Sequence, residues 1–415
     1  MLLARSWPTL HAMTSTVAAA GAFTDTELDD RFRPAFESIA AGATEREVDR
    51  RLAYEEVGRL RELGFGALRV PARFGGLGAT VRQQFRLLID LAAAESNLPQ
   101  ALRVHFSFVE DQRLAEVSDA RDTWLRATAG GVLVGNAITE PGVGAVDRYQ
   151  TRLTRDGDQW VLNGTKYYST GSLYSDHILV AADQDGERVS VLVDAHADGV
   201  TQHDDWDGFG QRLTASGTTE FNNVVVSPDR ILGPGYGGAG KTYATSYLQL
   251  VQLAVLAGIA QRATDDAAAW VRDRTRSYTH AAADLPREDP LVQQVIGKLS
   301  SAAFTARAAV LAVADVLDEV LVDSSTAQDP ELLDRAELAA AQAQLTVIDL
   351  VLAATTQLFE VGGASITSES LRLDRHWRNA RTISTHNPSI FKSQAVGAYV
   401  LNGTELPYAW SAGKR

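Results

Sequence analysis

Eight histidines and no cysteine set the first limits on the chemistry open to this chain of 415 residues. Without a thiol there is no disulfide, thiolate nucleophile or iron–sulfur cluster. The histidines show no metal-ligand spacing such as His-Glu-x-x-His, so no metal site is expected. Gly235-Tyr-Gly-Gly-Ala-Gly240-Lys241-Thr242 has the literal spacing of a phosphate-binding P-loop. Such a loop works when a buried strand delivers it into a helix, so that backbone N–H groups converge on the phosphates. Here Pro228 and Pro234 break the chain after an apolar strand, and no βαβ pattern surrounds it. A glycine-rich connection into a helix is the reading. Asn163-Gly-Thr and Asn402-Gly-Thr match the glycosylation sequon, but the first reads as the primed turn of a hairpin. The apolar run 246–261 contains no Asp or Glu and so cannot supply a carboxylate base.

The elements that would position such groups fall into three blocks. The pattern is helical over 24–129, after a leader at 1–23 that is Ala/Thr-rich, lacks helical periodicity and is expected to be disordered. Thr44 and Glu47 suggest a capping box, with Val48, Leu52, Val57, Leu60 and Leu63 on one face and Gly64 as the stop. Further helices are expected around 81–94 and 108–116. Over 130–233 the period changes to two: 160–168 reads as a hairpin, and 178–181, 189–193 and 220–226 as strands. Over 234–415 the helical period returns, interrupted by polar stretches at 279–290 and 323–330. Segregated order of this kind indicates α+β rather than alternating α/β. A hydrophobic fraction of 45% and a charged fraction of 22% are ordinary for a globular protein, and a net charge of −13 argues against nucleic-acid binding. The most apolar stretch, 248–260, is shorter than the ~20 residues that span a bilayer. No membrane segment and a cytoplasmic location are therefore expected.

Five motifs, in order and spacing, resemble the acyl-CoA dehydrogenase superfamily over residues 25–405. They are Gly66 through Pro71 to Phe74-Gly75-Gly76-Leu77-Gly78; Ile138-Thr139-Glu140-Pro141-Gly142-Val143-Gly144-Ala145-Val146-Asp147; Lys166-Tyr167-Tyr168-Ser169-Thr170-Gly171; Gly208-Phe209-Gly210-Gln211-Arg212; and the tail from Leu371 to Thr382 with His386-Asn387-Pro388. The tail, with Gln211-Arg212, Ser216-Gly217 and Phe221, is similar to the dibenzothiophene monooxygenase-like flavoproteins of that superfamily. The resemblance implies an N-terminal helical domain, a central β-barrel-like domain and a C-terminal four-helix bundle, assembled as a dimer of dimers.

A dehydrogenase of this superfamily needs a carboxylate to remove the proton beside a thioester carbonyl. Aligned on Arg378-Asn379-Ala380-Arg381, that position falls on Asn387, and the alternative location, on the helix after the β-domain, is the acid-free run already noted. The resemblance therefore implies oxygen chemistry: reduced flavin from a separate NAD(P)H-flavin reductase reacts with O2 at C(4a) to give a hydroperoxide, which must be shielded from water and supplied with a proton. His386, His105, Asn136 and Thr170 are implied to border that carbon, with His386 as acid/base and His105 in support. The bland alternatives are His386 as a capping residue before Pro388, His105 as a satisfied core histidine between Val104 and Phe106, Asn136 as a turn residue and Thr170 as an ordinary strand threonine. Thr139 is implied to bond the flavin's pyrimidine end, Tyr168 to flank its ring, and Trp206 to wall the substrate together with Asn136 and Tyr168. Arg276 resembles a phosphate contact to a neighbouring subunit's flavin. Ser365 stands where relatives can have arginine, leaving phosphate binding to Ser365, Thr367 and backbone N–H groups, so FMN is favoured and FAD is possible. Ile383 replaces a second histidine of some relatives. The expected activity is oxidation of carbon, nitrogen or sulfur in a small, fairly apolar, aromatic or heteroaromatic molecule. The alternatives are an acyl-CoA dehydrogenase with a relocated base and a silent flavin-fold binding protein.

Overall fold

The computed structural model describes residues 23–140, 149–233 and 240–408. The leader except for Phe23, the loop from Pro141 to Arg148 and most of the P-loop-like glycines therefore lie outside the described residues. Seven helices come first: α1 (Asp25–Ala41), α2 (Ala43–Asp49), α3 (Tyr54–Glu62), α4 (Val81–Ala94), α5 (Asn97–Ala101), α6 (Arg103–Leu114) and α7 (Asp119–Ala129). Two capping boxes start helices here, Thr24 with Glu27 on α1 and Thr80 with Gln83 on α4. The box expected at Thr44 does not form. Gly42 begins α2 without a side-chain cap, Arg50 ends it in the left-handed region at φ +48°, and α3 starts afresh at Tyr54. The single predicted helix is thus two. Val48 is exposed, whereas Glu47 is buried and pairs with Arg378 at 2.7 Å. A tertiary ion pair outweighs the local cap.

The central sheet holds β1 (Val134–Ala137), β2 (Arg152–Asp156), β3 (Gln159–Lys166), β4 (His177–Gln184), β5 (Glu187–Asp194), β6 (Val200–Gln202) and β7 (Thr219–Val226). Its order is β1-β4-β2-β3-β7-β6, with β5 paired to β4. Alternating burial along β7 places Phe221, Val224 and Val226 in a core shared with Leu153, Leu162, Ile178 and Val191. The expected Asn-Gly hairpin at 163–164 is corrected. The β2–β3 turn lies at Gly157 and Asp158, and Asn163-Gly164 sits inside β3, where pairing to β7 shifts register. Gly164 is required there by close approach: a Cβ would lie 2.4 Å from Thr151 Oγ1.

Five helices follow: α8 (Tyr243–Asp273), α9 (Pro290–Val320), α10 (Pro330–Gln357), α11 (Asp374–Ser384) and α12 (Ser389–Asn402). The breaks match the two predicted polar stretches, and Asp289 and Asp329 cap α9 and α10 with proline at the first helical position. α8 runs through the centre of the main core, against α4, α9 and α10. By length and hydropathy α8, α9 and α10 continued to Val361 could each cross a bilayer. The shorter run seen in the sequence understated this. In their most apolar windows 94% of α8 is buried, but only 39% of α9 and 50% of the α10 segment. α8 is a core helix, while α9 and α10 keep apolar surface directed outward.

Candidate functional site

Residues from all three blocks meet at the C-terminal end of the hairpin strand β3. Asn136 on β1 donates its backbone N–H to Thr170 O at 3.3 Å. The Thr170 hydroxyl lies 2.8 Å from Ser216 Oγ, which lies 2.7 Å from Thr214 Oγ1, which donates to Gln211 O at 2.9 Å. This file of hydroxyls joins two of the sequence motifs. Tyr167 N–H donates to Thr139 O at 2.8 Å, and Thr139 itself is exposed. Tyr168, at φ +59° and half exposed, turns its ring edge-on to Trp206 with centroids 5.6 Å apart. The Trp206 indole is locked by donation to Gly210 O at 3.0 Å. Asn136, Thr139, Tyr168, Thr170 and Trp206 therefore form one neighbourhood.

Neighbouring helices seat this cluster. A Cβ on Gly171 would lie 2.1 Å from Ala101 O, so the end of α5 abuts the Thr170 turn. Asn379 on α11 accepts from Gln211 N at 2.6 Å and donates to Ser96 Oγ at 3.1 Å, while Asn97 accepts from Leu213 N at 3.1 Å. Beneath Thr139, the fully buried Lys166 ammonium donates to Ile138 O at 3.0 Å and to Glu140 at 2.9 Å, above the Tyr149 ring at 3.9 Å. Glu140 also accepts from Gln150 and Thr151 N–H at 2.7 and 2.8 Å. Burial depresses Lys166 to about 8, against the opposing pull of Glu140.

Two residues on from Ala101, Arg103 carries the cluster to the C-terminal block: its Nη1 stands 3.4 Å from His386 Nε2. His386 is open to the surface, yet the protein crowded around it and then the Arg103 charge push its proton affinity well down. Such a ring is neutral near pH 7 and suits hydrogen bonding better than proton delivery. Asn387, the residue that the motif alignment sets against the dehydrogenase base, donates to Gln249 at 3.0 Å and is thereby tied to α8. The expectation for His105 is corrected. It is fully buried, Val134 N–H donates to its Nδ1 at 3.3 Å, and its Nε2 lies 2.9 Å from Gly66 O. A carbonyl only accepts, so Nε2 carries the proton. Both nitrogens are committed to backbone, and burial drives the ring to about 4. His105 is the core histidine weighed as its alternative; it anchors β1. Ile383 is buried in the main core.

The third group of predicted residues lies elsewhere. Ser365 accepts from Arg274 at 2.9 Å, and Thr367 donates to Ala364 O at 2.7 Å. Gly362 and Gly363 pack so closely on Trp270 and Tyr278 that a Cβ would meet them at 2.3 and 1.6 Å. Arg276 is exposed on the segment after α8. A guanidinium, two hydroxyls and side-chain-free backbone suit a phosphate, just as the amide, hydroxyls and aromatic edge of the first cluster suit a flat ring with polar edges. Sequence reasoning missed Arg274 and Arg103, since neither lies within a matched motif. The P-loop spacing is decoy: Lys241 pairs with Asp334 at 2.6 Å and Thr242 caps α8.

α8 sets the His386 end of the first cluster apart from these residues. Arg103 bonds Leu248 O at one end, and Trp270 packs on Gly362 at the other. The 22 steps from Leu248 to Trp270 rise roughly 33 Å at 1.5 Å each.

The models of the acyl-CoA dehydrogenase middle domain and C-terminal domain match residues 135–224 and 250–389. The dibenzothiophene monooxygenase of Rhodococcus erythropolis is 31% identical over 389 residues, covering 88% of this chain and 91% of that one. Among solved structures, TdsC of Paenibacillus sp. A11-2, crystallised with FMN and indole, superposes with a TM-score of 0.84 at 28% identity, covering 92% of this chain and 98% of its own. The methanesulfinate monooxygenase MsuC of Pseudomonas fluorescens gives 0.83 at 28% identity, with the same coverage. With both domain models matched in order and the Rhodococcus erythropolis relative covered over nine-tenths of its length, the chain belongs to the acyl-CoA dehydrogenase superfamily, in its flavin-dependent monooxygenase branch similar to dibenzothiophene monooxygenase.

Proposed function

We propose that this protein is the oxygenase of a two-component system, receiving reduced FMN from a separate NAD(P)H-dependent reductase and using O2 to oxidise carbon, nitrogen or sulfur in a small aromatic or heteroaromatic substrate. The observation that carries the proposal is the Asn387 amide, bonded to Gln249 where proton abstraction from a thioester would need a carboxylate. Bound reduced flavin would supply the reactivity toward oxygen. The chain's own residues would do the rest. Asn136, Thr170 and His386 offer uncharged hydrogen-bonding groups that can hold an oxygen substituent without reacting with it. Thr139 and Tyr168 orient the ring, and the locked Trp206 presents an aromatic wall to a flat substrate.

A phosphate at Ser365, Thr367, Arg274 and Arg276 lies too far along α8 to belong to a flavin whose ring lies beside Arg103 and His386 of the same chain. A ribityl phosphate tether covers roughly 10 Å at ordinary bond lengths, well short of the span of α8. The reading therefore requires each flavin to be held by two subunits. Exposed apolar side chains on α9 and α12, among them Leu291, Phe304, Ile390, Phe391 and Leu401, suit burial in such an assembly.

The test is to mix the protein anaerobically with chemically reduced FMN and indole or dibenzothiophene as probe, then admit 18O2. The expected result is a product carrying one labelled oxygen atom, reduced at least tenfold in His386→Ala. Protein that instead purifies with FAD and bleaches on adding an acyl-CoA would overturn the proposal in favour of dehydrogenation. Absence of both responses would mark a silent binding protein.

A further inference from the structure

His386 sits at the corner between α11 and α12, but the charge that reaches it comes from α6. Arg103 is the first residue of that helix, where the macrodipole disfavours a cation. Its Nε donates to Leu248 O at 3.0 Å, which fixes the plane of the guanidinium, and Nη1 then faces His386 Nε2 at 3.4 Å. A guanidinium has donors only. In this contact Nε2 accepts and the ring proton resides on Nδ1. The side chain of Asn387 is the ring's other hydrogen-bonding neighbour; one of its own N–H groups is given to Gln249, and its oxygen remains to accept. The path from Leu248 through Arg103, His386 and Asn387 to Gln249 thus begins and ends on adjacent residues of α8.

We propose that Arg103 is the positioning residue for His386: it holds the imidazole uncharged, in the Nδ1–H tautomer, so that the ring enters the reaction as a hydrogen-bonding group rather than as a cation. The surroundings support assigning this to Arg103. α8 contributes the neutral amide of Gln249, and α10 contributes Gln344, which donates to Asn387 O at 3.1 Å. Thr385 and Asn387 beside the ring carry no charge, and Lys392 on α12 is paired with Glu337 at 2.8 Å. Crowding and the Arg103 charge act in the same direction on the ring. The role in catalysis rests on His386 bordering the reacting flavin; the contact itself does not.

Diethylpyrocarbonate acylates neutral imidazole, so its rate of reaction at His386, followed by peptide mass spectrometry from pH 3 to 8, reports the protonation of this one ring without flavin or substrate. In the unmodified protein the rate should stay within about twofold of its plateau down to pH 5. Arg103→Gln keeps a donor and loses the charge; its midpoint should move up by about one pH unit. Arg103→Lys keeps the charge and should leave the profile near that of the unmodified protein. Circular dichroism melts identify any variant whose profile reflects unfolding. A glutamine variant with an unaltered profile, or a lysine variant shifted as far as glutamine, would overturn the assignment. Unimpaired turnover of indole by His386→Ala would remove the catalytic role while leaving the labelling result intact.

Discussion

At the scale of single residues, the molecule uses its histidines in distinct ways, and pH separates them. His105 and His376 are both buried and driven to about 4, chiefly by burial. His376 lies 2.9 Å from Asp266, whose carboxyl is held at about 2 by its histidine and arginine partners despite burial. In the unfolded chain each imidazole titrates near 6.5. Between about 4 and 6.5 the unfolded state therefore binds more protons, and stability rises with pH across that window. Each ring contributes a slope of up to about 1.4 kcal/mol per pH unit, lost progressively as the medium is acidified below 6.5. Urea midpoints measured from pH 4.5 to 7 should climb steeply, and His105→Gln should remove its part of the slope. A midpoint indifferent to pH in this range would show that neither ring is held neutral. The sequence made His105 visible as a histidine between apolar neighbours, which is compatible with either role. Only the contacts with Gly66 and Val134, 39 and 29 positions away, decide between them.

At the scale of elements, the site is made by close approaches between segments far apart in the chain. Gly171, at φ +76°, lets the Thr170 turn touch α5, and Gly210 lets the later turn touch α11, where a Cβ would lie 2.2 Å from Arg378 O. Gly171→Ala combines a disfavoured backbone conformation with an overlap of more than 1 Å against backbone, so a loss of at least about 2 kcal/mol is expected. The same displacement would shift Thr170, so thermal melts should fall together with reduced-FMN affinity. Retention of both would mean that the turn has slack that the contact does not suggest. The helical periodicity, the strands and the polar interruptions were readable because side-chain patterning is local. The failures share one cause. Thr44 lost its box to a contact between Glu47 and Arg378, and Asn163-Gly164 lost its turn to pairing across to β7. Motif order picked out residues that the fold brings together around Thr170, but Arg103 and Arg274 join that neighbourhood or the proposed phosphate cluster only through folding.

At the scale of the whole molecule, the proposal assigns the two halves of each flavin site to different subunits, and this can be counted. His386→Ala damages the ring half and Arg276→Glu the phosphate half. If both chains are refolded together in equal amounts, about half of the dimers carry one of each, and one of the two sites in such a dimer has both halves intact. Oxidation of indole under limiting FMN should then recover to about a quarter of the unmodified value. Failure to exceed the mean of the two variants would place both halves in a single chain.

The stiffness of α8 has a further consequence. On the proposed reading, a rod some twenty residues long holds the His386 end of the ring cradle and the phosphate cradle of one polypeptide out of each other's reach, whatever loops rearrange around them. An enzyme laid out in this way would be switched off by dilution alone: below the concentration at which its copies find one another, every copy would be correctly folded and none would retain its cofactor.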